Sequence, residues 1–256
     1  MKKWKNSINR LKNSQKHLLQ TKTIDYFFLI CYHNIMTKID KIISYLDELF
    51  PEAECALNFN TPYELLIAVI LSAQCTDKRV NIVSKDLFAI ANTPEKMLSL
   101  GQEKLKQIIH PCGFYNTKSK AIIQTSKDLI ERFNGVVPSS LDSLTTLKGV
   151  GRKTANVVIA NAFGGQTIAV DTHVHRVSKR LGLTDENSNP LKCETDLLKI
   201  VPENKRSKFH HQVILFGRNV CKAIKPNCSD CKLKNMCKFY NNTYINNKNS
   251  KNKLKG

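Results

Sequence analysis

Two short stretches hold the residue types best suited to covalent chemistry. The first, Leu147-Lys148-Gly149-Val150-Gly151-Arg152-Lys153-Thr154-Ala155-Asn156, sets a primary amine just after a glycine turn. The second, Val170-Asp171-Thr172-His173, sets a carboxylate eighteen residues after Lys153. A lysine on an apolar helix face, beside Ala155 and Val157, loses hydration, and desolvation with nearby cations favours the neutral, nucleophilic form of an amine. A carboxylate close by can take its proton or stabilise a developing oxocarbenium ion. Such a pair suits attack on a sugar C1′ with expulsion of the base. Each residue also has a plainer use. Lys153 serves equally as a surface contact to phosphate, and Asp171 is well placed as the N-cap of the helix that follows. Spacing alone leaves both open.

The glycine turn has a chemistry of its own. Leu-x-Gly-Val-Gly between two helices puts small residues where the chain reverses and where a phosphate oxygen can approach the backbone. The N–H groups at the start of the second helix point outward, with the positive helix end behind them. Gly149, Val150, Gly151 and Thr154 then offer a backbone grip that ignores base sequence, and Lys148 and Arg152 add charge. An ordinary helix–turn–helix corner is the alternative.

Four of the nine cysteines, Cys221, Cys228, Cys231 and Cys237, fall within seventeen residues with the spacing C-x6-C-x2-C-x5-C. This density and the odd total point to a metal centre in a reducing compartment, not to a disulfide framework. Zinc and an iron–sulfur cubane both fit four thiolates. Lys222, Lys225, Lys232, Lys234 and Lys238 lie in or beside the cluster, so the folded loop should be basic and suited to a second phosphate contact.

The elements that must position these groups read as helices almost throughout. Ile39, Ile42, Ile43, Leu46, Leu49 and Phe50 have helical spacing. Thr61-Pro62-Tyr63-Glu64 is a capping box with proline at the first helical position, opening the apolar run Leu65–Leu71. Further helices follow Asp77, start at Thr93-Pro94, and run through Leu105, Ile108 and Ile109 to a stop at Pro111-Cys112-Gly113. Others span 118–133, closed by Asn134-Gly135, then 141–147 after Ser140, and 152–163 before Gly164-Gly165. Asp171 starts the next, and the last two span 191–201 and 205–220. Strand-type alternation is nearly absent, so the expected class is all-α.

With 256 residues, 41% of them hydrophobic, the chain can bury a sizeable core. The formal net charge of +19 makes an acidic polymer the first partner to consider. Seven Lys/Arg against one Asp give residues 1–35 a charge of +6, and four Lys with no acid give 241–256 a charge of +4. The body, 36–240, keeps +9, so it should carry a cationic face. The apolar run inside 1–35 is shorter than the roughly 20 residues that span a bilayer, and it lacks a cleavage site. Residues 1–35 are expected to be a poorly ordered basic leader; an over-extended gene model with Met36 as the true start is favoured over an organelle address. Residues 241–256 are expected to be a disordered tail.

Taken together, Ser72-Ala73-Gln74-Cys75-Thr76-Asp77, Gly113-Phe114-Tyr115-Asn116, the Leu147–Asn156 hairpin, Ala169-Val170-Asp171-Thr172-His173 and the cysteine spacing closely resemble endonuclease III. That family comprises bifunctional DNA glycosylase/AP lyases of the helix-hairpin-helix, Gly-Pro-Asp superfamily. The resemblance covers about residues 36–240. It implies two helical lobes with DNA in the cleft between them. One is a six-helix barrel, 55–165, with the hairpin at 140–163. The other joins 36–54 to 166–240 and holds a [4Fe-4S] cluster on the four cysteines. It also implies Lys153 as the Schiff-base nucleophile and Asp171 as the essential acid. The reaction would be base flipping, displacement at C1′ and β-elimination 3′ to the lesion, with oxidised pyrimidines such as thymine glycol preferred. Gln74 matches the residue that fills the gap left by the flipped base. Phe114 stands where an apolar wedge is usual, commonly leucine. His173 and Lys225 are further expected DNA contacts. Lys148 replaces a usual proline, His175 replaces an apolar or aromatic residue and is assigned nothing, and His210-His211 reads as a structural pair. The expected partner is double-stranded damaged DNA, with no membrane, and the expected state is a monomer. The expected location is the cytoplasm, on the nucleoid, of a bacterium, or an organelle or nucleus of a eukaryote. The adenine-mismatch branch of the superfamily lacks the lysine. A non-catalytic DNA-binding protein with a redox-sensing cluster is the alternative of a different class.

Overall fold

The computed structural model describes residues 37–245. The expected leader, 1–35, lies outside them, as do residues 246–256 of the tail. Regular structure among the described residues is all helical, with no strand. The chain divides into two compact units, 1–44 and 45–256. In the first, the described residues open α1 (Lys38–Leu49) with a reciprocal cap. Thr37 donates to Asp40 Oδ2 through N (3.0 Å) and Oγ1 (2.7 Å), and Asp40 N returns a bond to Thr37 Oγ1 (3.4 Å).

Within the second unit, α2 (Pro62–Ser72) is the axis of one lobe. It is buried from Tyr63 to Leu71, as a helix that is apolar all round must be. Its start is the expected capping box: Thr61 Oγ1 accepts from Glu64 N (3.1 Å), and Glu64 reaches back to Asn60 N (2.6 Å). Against α2 pack α3 (Asp77–Ile90), α6 (Tyr115–Phe133) and α8 (Arg152–Phe163). α4 (Pro94–Leu100) and α5 (Gln102–Ile109) cover α6, and the short α7 (Leu141–Thr145) leans on α8. One hydrophobic core runs through this lobe, from Leu57 to Val158.

The other lobe is built on α9 (Thr172–Leu181), which packs against α10 (Pro190–Ile200), α11 (Arg206–Asn219) and α12 (Lys238–Tyr240). The end of α1 joins it. Tyr45 meets Phe216 edge-on at 6.2 Å, and Gln212 donates to Asp47 Oδ1 (2.9 Å) and Phe50 O (3.2 Å). The two lobes are tied by a few specific bonds. Arg152 pairs with Glu194, Arg218 with Asp77 (3.0 Å), and His211 bonds Asn161 (3.0 Å).

Two boundaries differ from the sequence reading. The helix expected from residue 118 starts at Tyr115, because Phe114 adopts a left-handed conformation (φ 49) and redirects the chain there. Lys118 is therefore inside the helix, and it is buried. The tail expected to lack structure from Asn241 continues as a helical turn, Asn241–Ile245. Tyr244 stacks on Tyr240 at 5.2 Å and meets Phe239 at 6.5 Å, aromatic packing that the Lys/Asn-rich composition hides.

Candidate active site

The hairpin turn runs from the end of α7 to the start of α8. Val150 is buried in the core and fixes the turn from below, so it can offer a ligand only its backbone. Thr125, fully buried on α6, donates to the Lys148 carbonyl at 2.7 Å and holds the turn from the side. Gly149 has φ +77, and a Cβ there would lie 2.9 Å from the Ala121 Cβ. Gly151 is the N-cap of α8, with no side-chain cap bond, and a Cβ there would meet nothing within 4 Å. The open side of the turn is thus at Gly151, next to the uncapped start of α8. Lys148 is exposed beside it, and Thr154 is half-buried one turn in.

Arg152 is committed elsewhere. Its guanidinium forks onto Glu194 of α10, Nε to both carboxylate oxygens (3.1 and 2.9 Å) and Nη2 to Oε1 (2.8 Å). Glu194 is 6% exposed. Arg152 bridges the lobes, a use that the sequence reading, which has it as a DNA contact, does not include.

Lys153 and Asp171 line the same cleft, a space of about 660 Å³ bounded also by Ser72, Gln74, Cys75 and His173. They also share a smaller cavity below it, floored by His210 and His211. The Lys153 side chain is exposed, so the apolar face expected to strip its hydration is not what surrounds it. Ala155, Asn156, Val158 and Ala160 are the buried members of that helix. Asp171 caps α9, and its Oδ1 accepts from Val174 N at 2.8 Å. This cap uses one carboxylate oxygen and leaves the other without a cap bond, so capping does not consume the whole carboxylate.

His210 sits on α11 and is 2% exposed. Burial, then His211 and Lys153, push its pKa down to about 3. It is therefore neutral beneath the amine. Its ring meets His211 at 4.8 Å, and His211 Nε2 bonds Asn161 Oδ1. Burial and the cations Arg176 and Arg218 also lower the His173 pKa, with Asp171 opposing them. Arg176 Nη2 lies 3.3 Å from His173 Nδ1.

Gln74 and Phe114 stand at two exposed tips. Gln74 lines the cleft with φ 54. Phe114 is 64% exposed, so it is not a core aromatic. Left-handed backbone at two non-glycine residues is a local strain that persists only where the surroundings impose it. Three neighbours of the cleft are assigned no role by the sequence. His175 binds the Ser188 carbonyl (2.8 Å), Arg218 pairs with Asp77, and Cys75 lies directly behind Gln74.

The four clustered cysteines line one cavity with Leu181, Phe216 and Val220. All four thiols are free. Burial and the other sulfurs push the thiols of Cys228 and Cys231 up. Arg180 organises the loop. It donates to the Lys222 (2.6 Å) and Ala223 (2.9 Å) carbonyls and lies 4.4 Å over the Phe239 ring. Cys237 Sγ donates to the Arg180 carbonyl (3.2 Å). No three His, Cys, Asp or Glu side chains among the described residues converge on a point that would hold a single ion. Four thiols around one apolar cavity are a donor set consistent with an iron–sulfur cluster. Lys225 is exposed with φ 49, and Lys222 is exposed beside it, while Lys232 and Lys238 pair with Glu48 and Glu186.

The helical lobes and the hairpin define a class, and comparison bears this out: residues 67–203 match the HhH-GPD superfamily of base excision DNA repair proteins. The chain is 47% identical over 203 residues to endonuclease III of Haemophilus influenzae, covering 79% of this chain and 96% of that one. It is 46% identical to the Escherichia coli K12 protein of the same name, covering 78% and 94%. A solved structure of a trapped endonuclease III–DNA covalent intermediate superposes with a TM-score of 0.77 at 45% identity, covering 81% of this chain and 99% of that one. This chain belongs to the endonuclease III family of DNA glycosylases and AP lyases. Among the described residues no helix is long and apolar enough to cross a membrane.

Proposed function

We propose that this protein removes oxidised pyrimidines, of the thymine glycol type, from duplex DNA and then nicks the abasic strand. The observation that carries the reading is that Lys153 and Asp171, distant in sequence, line one cleft between the hairpin and the exposed tips Gln74 and Phe114. The Gly149–Gly151 turn grips the backbone of the damaged strand. Phe114 and Gln74 enter the stack and hold the gap. The Lys153 amine attacks C1′ and the base leaves, giving an imine between Lys153 and the opened sugar. The imine acidifies C2′, loss of that proton expels the 3′ phosphate, and water later frees the amine. Asp171 accepts a proton and stabilises positive charge on the sugar. Cys221, Cys228, Cys231 and Cys237 would hold a [4Fe-4S] cluster, which fixes the fold of the basic loop that presents Lys222 and Lys225 to phosphate. The protein works as a monomer, with 55–165 as the barrel and 36–54 plus 166–240 as the cluster lobe.

Borohydride reduction during turnover should trap a covalent protein–DNA adduct, and Lys153→Ala should abolish it. An adduct that persists in that variant moves the nucleophile to another residue. A lesion panel on the purified protein tests the substrate class, and strongest excision of a purine lesion would overturn it.

A further inference from the structure

One pair of thiols is used by neither the cleft chemistry nor the metal loop. Cys112 closes the turn His110–Cys112 and is 3% exposed in the barrel core. Cys75 is half-buried, packs on the same core and lines the cleft with Lys153 and Asp171. Cys75 and Cys112 pack on the same core, and Cys75 is among the groups that raise the Cys112 thiol. A buried ammonium holds both segments in place. Lys118 Nζ donates to the Leu71 carbonyl (2.8 Å), at the end of α2 just before Cys75, and to the Cys112 carbonyl (2.9 Å). Cys75 N bonds Ser72 O at 3.0 Å. Lys118 faces both sulfurs and Arg79 faces Cys112, so positive charge is at hand for a developing thiolate. Burial pushes the Cys112 thiol up to about 11. It rests protonated, and Cys75 is the half-buried partner that lines the open cleft.

We propose that Cys75 and Cys112 form a dithiol site that reacts with low-molecular-weight disulfides and closes an internal disulfide, pinning the Gln74 tip to the Phe114 tip. The Cys75 thiolate attacks one sulfur of the small disulfide and expels one small thiolate, leaving a mixed disulfide. Cys112 then attacks the Cys75 sulfur, gives up its proton and expels the second thiolate. The protein dithiol is oxidised, one small disulfide is reduced to two thiols, and the electrons balance. Lys118 already ties the end of α2 to the Cys112 turn, so the two segments that closure must join are neighbours in the fold. In a reducing compartment such a bond is transient and senses redox state.

The consequence follows from where the bond falls. Gln74 directly precedes Cys75, and Phe114 follows Cys112 by two residues, each at positive φ. A covalent bond between their bases removes the freedom of the two tips to move independently. On the proposed reading that both tips enter the duplex, closure weakens DNA binding.

The test uses the full-length protein, treated with oxidised glutathione. Peptide mapping should find a Cys75–Cys112 link with loss of two hydrogens, reversible by dithiothreitol, with the visible absorbance of the protein unchanged. Affinity for a duplex carrying a stable abasic-site analogue should fall by about tenfold and recover on reduction. Cys112→Ala should stop at glutathione on Cys75 and show no internal link, and Cys112→Ser should do the same if alanine impairs folding. Absence of the link in the parent protein, or a linked protein that binds as the reduced one does, overturns the proposal. The link is read by mass and not by DNA. A reduced protein that fails to bind the duplex would therefore count against the proposed function, with the disulfide still established.

Discussion

Gly149 and Gly151 are two residues apart in one turn, yet alanine at each should do opposite things. At Gly149 the backbone is left-handed, φ +77, which costs an alanine about 1–2 kcal/mol. The new Cβ would sit 2.9 Å from the Ala121 Cβ on α6, and Ala121 is itself buried, so a helix must shift. Overpacking of this kind costs about 1–3 kcal/mol. Restricting the unfolded chain returns about 0.4–1 kcal/mol. Gly149→Ala should therefore lose about 1–5 kcal/mol, a fall in melting temperature of roughly 2–18 °C. At Gly151 the backbone is extended (φ −85, ψ 174) and a Cβ meets nothing. Alanine is a poorer N-cap than glycine by under about 1 kcal/mol, and the unfolded-state term offsets this. Gly151→Ala should melt like the parent. Its Cβ would occupy the open face of the turn where a phosphate oxygen must come close. Losing one N–H bond to that charged oxygen costs about 1.5–3 kcal/mol, or roughly 10–100-fold in Kd. Thermal melts and duplex titrations at fixed salt read both effects. If Gly151→Ala binds DNA like the parent, the backbone grip is not at this turn. If the two variants lose equal stability, the steric reasoning is wrong.

Arg152→Met should cost about 1–2 kcal/mol in chemical denaturation, less than a fully buried pair because the Arg152 side chain is 47% exposed. It should leave the salt slope of DNA binding unchanged, whereas a lost phosphate contact would lower that slope by about one. His173, His210 and His211 all have lowered pKa values, so the unfolded chain binds protons that the folded one refuses. Their contribution to stability is complete above the unfolded value of about 6.5 and declines as pH falls toward the folded values, near 3 for His210. Denaturation midpoints should drop between pH 6.5 and 4.5, and His210→Asn should flatten that slope; a parent slope of zero would refute it. Purified protein should be brown with broad visible absorbance, and Cys231→Ser should lose the colour and melt lower. One colourless zinc per chain would exclude the cubane.

What was legible in the chain was local. Thr61, Thr93, Ser140 and Asp171 each accept from the backbone N–H three residues on, as a cap must. The apolar run of α2 announced a buried helix. The contacts that sequence did not announce are those made across the fold. Arg152 and Glu194 are 42 residues apart, and no local pattern marks a charged residue of a basic turn as spoken for. Lys118 reads as a helix-start lysine, but the left-handed Phe114 starts the helix early and turns its ammonium inward onto two carbonyls. Cys75 and Cys112 read as scattered cysteines because their proximity exists only once α2, α3 and the His110–Cys112 turn are packed.

The same distinction bears on Lys153. Its helix face looked able to desolvate the amine, but in the folded chain that face turns to Ala155 and Val158, and Lys153 projects from it into an open cleft. Dehydration must then come from what fills the cleft. The protein's own contribution is to control the charges around the amine. Asp171 is held on one side by its bond to Val174, and His210, kept neutral by burial, puts no second positive charge beneath it. An amine that stays hydrated until a duplex closes over it is spared side reactions in the free protein. On the proposed reading of Lys153 as the nucleophile, it meets a desolvated, oriented environment only when a sugar is present to attack, so proximity and activation arrive together.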